Sequence, residues 1–213
     1  MKFVFKDRHH AGVQLTTELT HYCNCSNCIV FGIPRGGVVV AAEVAIGLNL
    51  PLDLIVTKKI GAPFNPELAI GSVDPNGKAT VDKRAKEMLN ISPRYLQTTV
   101  PTITAEIKRQ LELYRGHTDY SKLTQQTALI VDDGIATGQT VIAAVQFLKT
   151  LDAERIVVAT PVIAPATLNR LCEIADEVRY VLCQEQFSAV GQFYQDFSPV
   201  NDNEVLRTLQ SIK

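Results

Sequence analysis

Leu129-Ile130-Val131-Asp132-Asp133-Gly134-Ile135-Ala136-Thr137-Gly138-Gln139-Thr140 is an apolar run that ends in two adjacent carboxylates, passes through a small Gly- and Thr-rich turn and enters a helical pattern. The apolar run reads as a buried strand. The Asp pair then sits at its C-terminal edge, where open α/β sheets bind ligands. Paired carboxylates there can accept hydrogen bonds from vicinal sugar hydroxyls or reach a divalent cation, often through water. The turn offers backbone N–H groups and hydroxyls to a phosphate, and the following helix adds the positive end of its dipole. A Walker-type loop would need a Lys after its second Gly, and a dinucleotide fingerprint would need three spaced glycines; neither is present. The plainer alternative is a strand–turn–helix junction whose Asp pair lies in solvent.

Outward from this stretch the pattern is α/β. Residues 28–33, Cys28-Ile29-Val30-Phe31-Gly32-Ile33, read as a buried strand, Pro34-Arg35-Gly36-Gly37 as a turn, and Val38 to Leu48 as an apolar helix. Leu52 to Thr57 is a second strand, which makes a βαβ opening with a parallel sheet. After residue 127 the alternation returns, with strands at 128–131, 155–160 and 177–182 and helices at 140–151 and 165–175. The predicted fold is an α/β core of about five parallel strands with flanking helices. Between the halves, Gly61, Pro63, Pro66, Gly71, Pro75 and Gly77 mark an irregular excursion. Leu68–Val73 and Ala79–Asp82 suit a hairpin around Asp74-Pro75-Asn76-Gly77. Residues 83–90 read as a short helix, and Ser92-Pro93 as the N-cap and first position of another. Pro101 is expected to kink or split that helix. A short amphipathic helix, Asp202 to Ile212, ends the chain.

The 213 residues suit one domain: a core at about 28–59 and 127–182, a flexible insertion at about 60–126, and a small hood from 1–27 and 183–213. Hydrophobic content of 46% suffices for a buried core, and a net charge of −1 argues against nucleic acid or an anionic membrane as partner. No apolar run reaches membrane-span length. Met1-Lys2-Phe3-Val4-Phe5-Lys6-Asp7-Arg8 meets charge too soon for a secretory signal, so a cytoplasmic location is expected. Five cysteines then read as reduced thiols. Cys23, Cys25 and Cys28 form a C-x-C-x-x-C cluster near His21, which raises zinc or iron–sulfur binding. A second ligand pair is missing nearby, since Cys172 and Cys183 lie far along the chain, and incidental thiols are expected.

Two further segments leave strands toward the same sheet edge. In Pro34-Arg35-Gly36-Gly37 the glycines permit close backbone approach, and Arg35 offers a fork suited to phosphate oxygens. Lys58 and Lys59 follow the second strand and point in different directions, so one of them at most faces the site; a solvated pair is the alternative.

The 129–140 pattern, four apolar residues, two acidic residues, a short linker and Thr-Gly-x-Thr, resembles the phosphoribosyl-diphosphate (PRPP) signature of type I phosphoribosyltransferases. The Gly-x-Pro-Arg-Gly-Gly loop, the Lys-Ile-Gly-Ala-Pro segment with Asn65-Pro66-Glu67-Leu68-Ala69-Ile70-Gly71, and Val190-Gly191-Gln192-Phe193-Tyr194 are similar to one branch of predicted phosphoribosyltransferases. This chain has Gly134-Ile135-Ala136 where the purine-salvage members tend to carry an acidic residue. The resemblance implies transfer of a phosphoribosyl group from PRPP with Mg²⁺ to a nitrogen acceptor, a nucleobase or related heterocycle, with release of pyrophosphate.

By the same resemblance, Asp132 and Asp133 hold the ribose hydroxyls or Mg²⁺, and Ala136, Thr137, Gly138, Gln139 and Thr140 cradle the 5′-phosphate. Pro34, Arg35, Gly36 and Gly37, with one of Lys58 or Lys59, take the pyrophosphate. A mobile loop at 61–81 closes over the centre, with Lys78, Lys83 and Arg84 as basic residues brought in, and the terminal hood selects the acceptor. Phe187, Phe193, Tyr194 and Asp196 are candidates for that pocket, because aromatic faces stack on planar heterocycles; equally, these aromatics can anchor the tail to the core. A homodimer is compatible with the exposed excursion. Two other readings stay open: a non-catalytic PRPP- or nucleotide-sensing regulator on the same fold, and a phosphohydrolase using the Asp pair as metal ligands.

Overall fold

The computed structural model describes residues 4–212, apart from the Glu67 side chain; the Met1-Lys2-Phe3 start of the segment read for a signal lies outside them. Among the described residues, eight strands in two sheets alternate with seven α-helices. They run α1 (Arg8–Thr17), β1 (Cys28–Gly32), α2 (Gly36–Leu48), β2 (Leu52–Leu54), β3 (Lys58–Ala62), β4 (Asn65–Val73), β5 (Ala79–Val81), α3 (Lys83–Met88), α4 (Pro93–Arg115), β6 (Thr127–Val131), α5 (Gln139–Thr150), β7 (Arg155–Ile163), α6 (Pro165–Cys172), β8 (Glu177–Cys183) and α7 (Asp202–Gln210).

The main sheet has the order β2-β1-β6-β7-β8, and every neighbouring pair is parallel. Counted along the five-strand core, this is 2-1-3-4-5, an open sheet whose winding reverses between β1 and β6. The register pairs Gly32 with Val131, so the chain leaves both strands side by side at that reversal. β6 and β7 are buried almost throughout, as expected of strands covered on both faces. α2 is apolar nearly all round because it is itself sandwiched between the sheet and α1.

The hairpin expected around 74–77 is present as β4 and β5, and β3 joins it, so the 61–81 stretch expected as a mobile loop lies in an antiparallel sheet, β3-β4-β5. Ile60, Ile70 and Val73 on it are fully buried against α4 and α2 side chains, which holds the hairpin to the core. β3 escaped the sequence reading because Lys58-Lys59 and the nearby Gly and Pro residues obscured its alternation. The second core strand accordingly ends at Leu54, with Ile55, Val56 and Thr57 as a buried connector.

Pro101 does not split α4, which runs 23 residues from its Ser92 cap. Leu96, Val100, Ile103, Ile107, Leu111 and Tyr114 form a continuous stripe against the β3-β4-β5 side of the core, and this packing outweighs the roughly 3 kcal/mol that an interior proline costs. Cys25 and Cys28, expected as reduced thiols, form a disulfide, while Cys23, Cys172 and Cys183 are free. Among the described residues no group of three or more His, Cys, Asp or Glu side chains is placed to hold a metal, and no helix is long and apolar enough to cross a membrane.

Candidate active site

The site forms where β1 and β6 end. β1 feeds Ile33, Pro34 and Arg35 and then α2; β6 feeds Asp132, Asp133 and the turn into α5. The Pro34–Arg35 peptide is cis. Neither α2 nor α5 has a side-chain hydrogen bond capping its N-terminus, so both leave first-turn N–H groups for a ligand at the same crevice.

The glycines of the 34–37 loop bring its backbone against the Asp pair. A methyl group on Gly37 would stand 2.8 Å from Asp132 Oδ1, 2.9 Å from Asp132 Cα and 3.0 Å from the Val131 carbonyl oxygen. On Gly36 it would overlap Asp133 Oδ2 and stand 2.7 Å from Arg8 Nε. The loop and the carboxylates are therefore one packed unit.

Asp132 Oδ1 accepts the Asp133 backbone N–H at 2.9 Å. Asp133 Oδ2 accepts from Arg8 Nε at 2.8 Å, with both side chains largely buried. Burial pushes both carboxyls up from the usual carboxylate range; Asp133 pushes Asp132 further, while Arg8 pulls Asp133 back down. Arg8 also donates to the Ser198 carbonyl at 2.8 Å and lies 3.9 Å over the Phe197 ring. Asp7, read beside it in the sequence, caps α1 through the His10 N–H instead.

The phosphate-type turn is held from two sides. Ile135 bridges to Ile163 at the end of β7, the Thr167 hydroxyl donates to the Ala136 carbonyl, and the Thr57 hydroxyl donates to the Thr140 carbonyl at 2.9 Å. Arg170 donates to the Thr137 carbonyl at 3.4 Å. Gly138 caps α5 in the left-handed region at φ +71°, where a side chain would be strained and a Cβ would meet Thr167 Cγ2. Gly134, the departure in the linker, has its own reason: a Cβ there would overlap Val190 of the tail.

Beside the 34–37 loop, Pro34, Arg35, Thr57, Lys58, Glu106, Arg109, Gln110 and Asp202 line a polar cleft of about 410 Å³. Strand alternation separates the two lysines: Lys58 lies in the cleft, 4.0 Å from Glu106, and Lys59 is exposed on the opposite face of β3. Burial lowers the Lys58 pKa from its ordinary value, opposed by the Glu106 charge. Lys78, Lys83 and Arg84 lie on the β5 and α3 side and line none of this cleft.

The termini close over the crevice as a paired unit. Phe5 forms a parallel bridge to Tyr194, with hydrogen bonds from Phe5 N to Phe193 O and from Gln195 N to Phe5 O, both at 2.8 Å. Phe193 is buried at 2% exposure with Phe5, Ala11 and Val162, so it anchors the tail and offers no face to a ligand. Tyr194 is also buried and donates its hydroxyl to the Asp133 carbonyl. Phe187 is half-buried against Phe193, and exposed Asp196 accepts from Ser198. Arg109, Glu106, Asp202 and Thr57, which line the cleft, carry no motif in the sequence, since they meet the loop only through the fold.

Fold and crevice define the class: an open, parallel-sheet α/β protein with a candidate ligand crevice at the switch point of its sheet. The phosphoribosyl transferase domain family matches residues 8–197. The chain belongs to that family. Two Mycobacterium tuberculosis proteins that carry a provisional phosphoribosyl transferase name are each 37% identical over 206 residues, 97% of this chain. The chain spans 46% of the length of these curated relatives. A crystal structure of a Thermus thermophilus protein superposes with a TM-score of 0.80 at 35% identity, covering 98% of this chain and 99% of that one. The purine phosphoribosyltransferase of Pyrococcus horikoshii shares the fold, with a TM-score of 0.51 at 19% identity over 94% of this chain and 99% of its own.

Proposed function

We propose that the chain is a phosphoribosyltransferase that takes PRPP with Mg²⁺ and transfers its phosphoribosyl group to a nitrogen acceptor, a nucleobase or related heterocycle, releasing pyrophosphate. The observation that carries this reading is the packing of Gly36 and Gly37 directly on Asp132 and Asp133 between two uncapped helix N-termini. That arrangement suits a ligand with hydroxyls in its middle and phosphates at both ends.

In this reading the 5′-phosphate lies at the N-terminus of α5, against the backbone of Ala136, Thr137, Gly138, Gln139 and Thr140. Asp132 and Asp133 accept the ribose hydroxyls, and their negative charge favours positive charge developing at the anomeric carbon. Arg35, the Gly36-Gly37 backbone and Lys58 hold the pyrophosphate. The two carboxylates fit Mg²⁺, which commonly takes one or two carboxylates and completes its shell with water and substrate phosphates. When bound, Mg²⁺ would neutralise charge on the leaving group. The protein's share is positioning and fixed charge rather than covalent chemistry. The acceptor would enter under the paired termini, where Phe187 and Phe197 keep partial exposure.

The donor half is tested by titrating PRPP with Mg²⁺ calorimetrically into wild type and an Asp132→Asn/Asp133→Asn double variant. Binding in wild type that weakens at least tenfold in the variant is expected; equal binding in both refutes the assignment. A screen of nucleobases for PRPP-dependent pyrophosphate release identifies the acceptor, and turnover with none of them returns weight to the regulator reading.

A further inference from the structure

The cleft beside Arg35 and Lys58 carries both signs of charge, which a plain anion pocket would not. Arg109 and Glu106 reach it from α4, and Asp202 reaches it from the first turn of α7, elements that contribute none of the signature residues. We propose that Arg109 is a third cationic ligand for the leaving pyrophosphate, and that Glu106 and Asp202 are resident counter-ions whose pairing with Lys58 and Arg35 the pyrophosphate replaces on binding and whose charge speeds its release. This rests on the proposed transfer reaction and names residues within its product site.

Arg35 stands 3.8 Å from Asp202, and Lys58 stands 4.0 Å from Glu106. Both exceed hydrogen-bond length, so these are loose ion pairs between half-exposed groups and are worth little in water. Phosphate oxygens making direct charge-assisted bonds at shorter range outcompete them. Arg109 is oriented by a two-point contact with Glu106, Nε at 2.8 Å and Nη2 at 3.0 Å, and lies 3.5 Å from Asp202. Asp202 is fixed in turn by the Tyr114 hydroxyl at 2.7 Å. The carboxylates therefore remain in the cleft when a pyrophosphate arrives, and their repulsion of it opposes tight product binding. Three cations alone would hold a polyanionic product strongly; three cations with two fixed carboxylates hold it transiently.

The test is calorimetric titration of inorganic pyrophosphate with MgCl₂ into wild type, Arg109→Gln, Glu106→Gln and Asp202→Asn, with PRPP titrated in parallel. Arg109→Gln should weaken pyrophosphate about tenfold, whereas Asp202→Asn and Glu106→Gln should each tighten it roughly three- to tenfold. The amides introduced by Asp202→Asn and Glu106→Gln can still accept from the Tyr114 hydroxyl and from Arg109 respectively, and both positions are half-exposed, so the two variants read the same sign. A merely structural role predicts weaker or unchanged binding in the carboxamide variants. That result, with PRPP binding to wild type intact, overturns this inference alone. Absence of PRPP binding to wild type overturns the transfer reading and this inference with it.

Discussion

Gly37→Ala is the sharpest probe of the idea that the 34–37 loop and the Asp pair are one unit. The new methyl would stand 2.9 Å from Asp132 Cα and 3.0 Å from the Val131 carbonyl oxygen, both backbone atoms, and 2.8 Å from Asp132 Oδ1. Val131 ends a central, fully buried strand, and Asp132 N–H is bonded to the Ala159 carbonyl of β7, so neither can retreat cheaply. The N-terminus of α2 must move instead, by several tenths of an ångström, away from the carboxylates. Overpacking of this kind costs about 1–3 kcal/mol. Alanine gains up to about 1 kcal/mol over glycine within a helix. The net expectation is destabilisation of about 1–2 kcal/mol, a fall in Tm of roughly 2–8 °C for a chain of this size, together with at least tenfold weaker PRPP binding. Gly36→Ala differs in kind, because its methyl overlaps a side-chain oxygen and displaces Asp133 from Arg8; that contact can rotate away, so binding suffers more than stability. Gly116→Ala serves as control. Its φ of +76° makes alanine strained, but nothing lies within 4 Å of the added methyl, so it should lose about 1 kcal/mol with PRPP affinity unchanged. Thermal melts and calorimetry read both effects. A Gly37→Ala protein with wild-type Tm and wild-type PRPP affinity refutes the packed-unit argument.

The tail separates anchors from ligand contacts: Phe193→Ala should cost about 3–5 kcal/mol in urea unfolding, as a fully buried aromatic does, whereas half-buried Phe187→Ala should cost clearly less, and equal losses would contradict the assignment of Phe193 as the anchor. Glu177 gives a pH signature. Burial alone would raise its pKa, but hydrogen bonds from Arg155, Arg179 and Tyr22 hold it at about 2. A carboxyl depressed in the folded state stabilises above its unfolded pKa and loses that contribution as pH falls from about 5 toward 2. Glu177→Gln should therefore destabilise by on the order of 1 kcal/mol at pH 7, with the two stability curves converging near pH 2; a gap that stays constant with pH would refute the ionic origin.

Sequence reading succeeded where the information was contiguous. The run from Leu129 to Thr140 carries its strand, its paired carboxylates, its turn and its helix start within twelve residues, and Pro34 to Gly37 does the same for the facing loop. Hydrophobic period identified all five core strands, and the Ser92-Pro93 start and the 74–77 turn came from local backbone preferences. What failed was settled by partners distant in the chain. Pro101 sits in an unbroken helix because a long apolar stripe is packed along it, and β3 exists because β4 pairs with it and α4 covers Ile60.

By itself, then, the chain determined an α/β architecture, the identity of the phosphate-type turn and the acidic pair, and the loop that would face them, since each follows from spacing within one segment. Only the tertiary structure decided that β1 lies beside β6, which is what brings Gly37 onto Asp132; that Lys58 rather than Lys59 enters the cleft; that Arg8 engages Asp133; and that Arg109 and Asp202 join Arg35 from elements 74 and 167 residues away in sequence. Local periodicity reports which face of an element is buried. Which other element buries it depends on the packing of the whole chain.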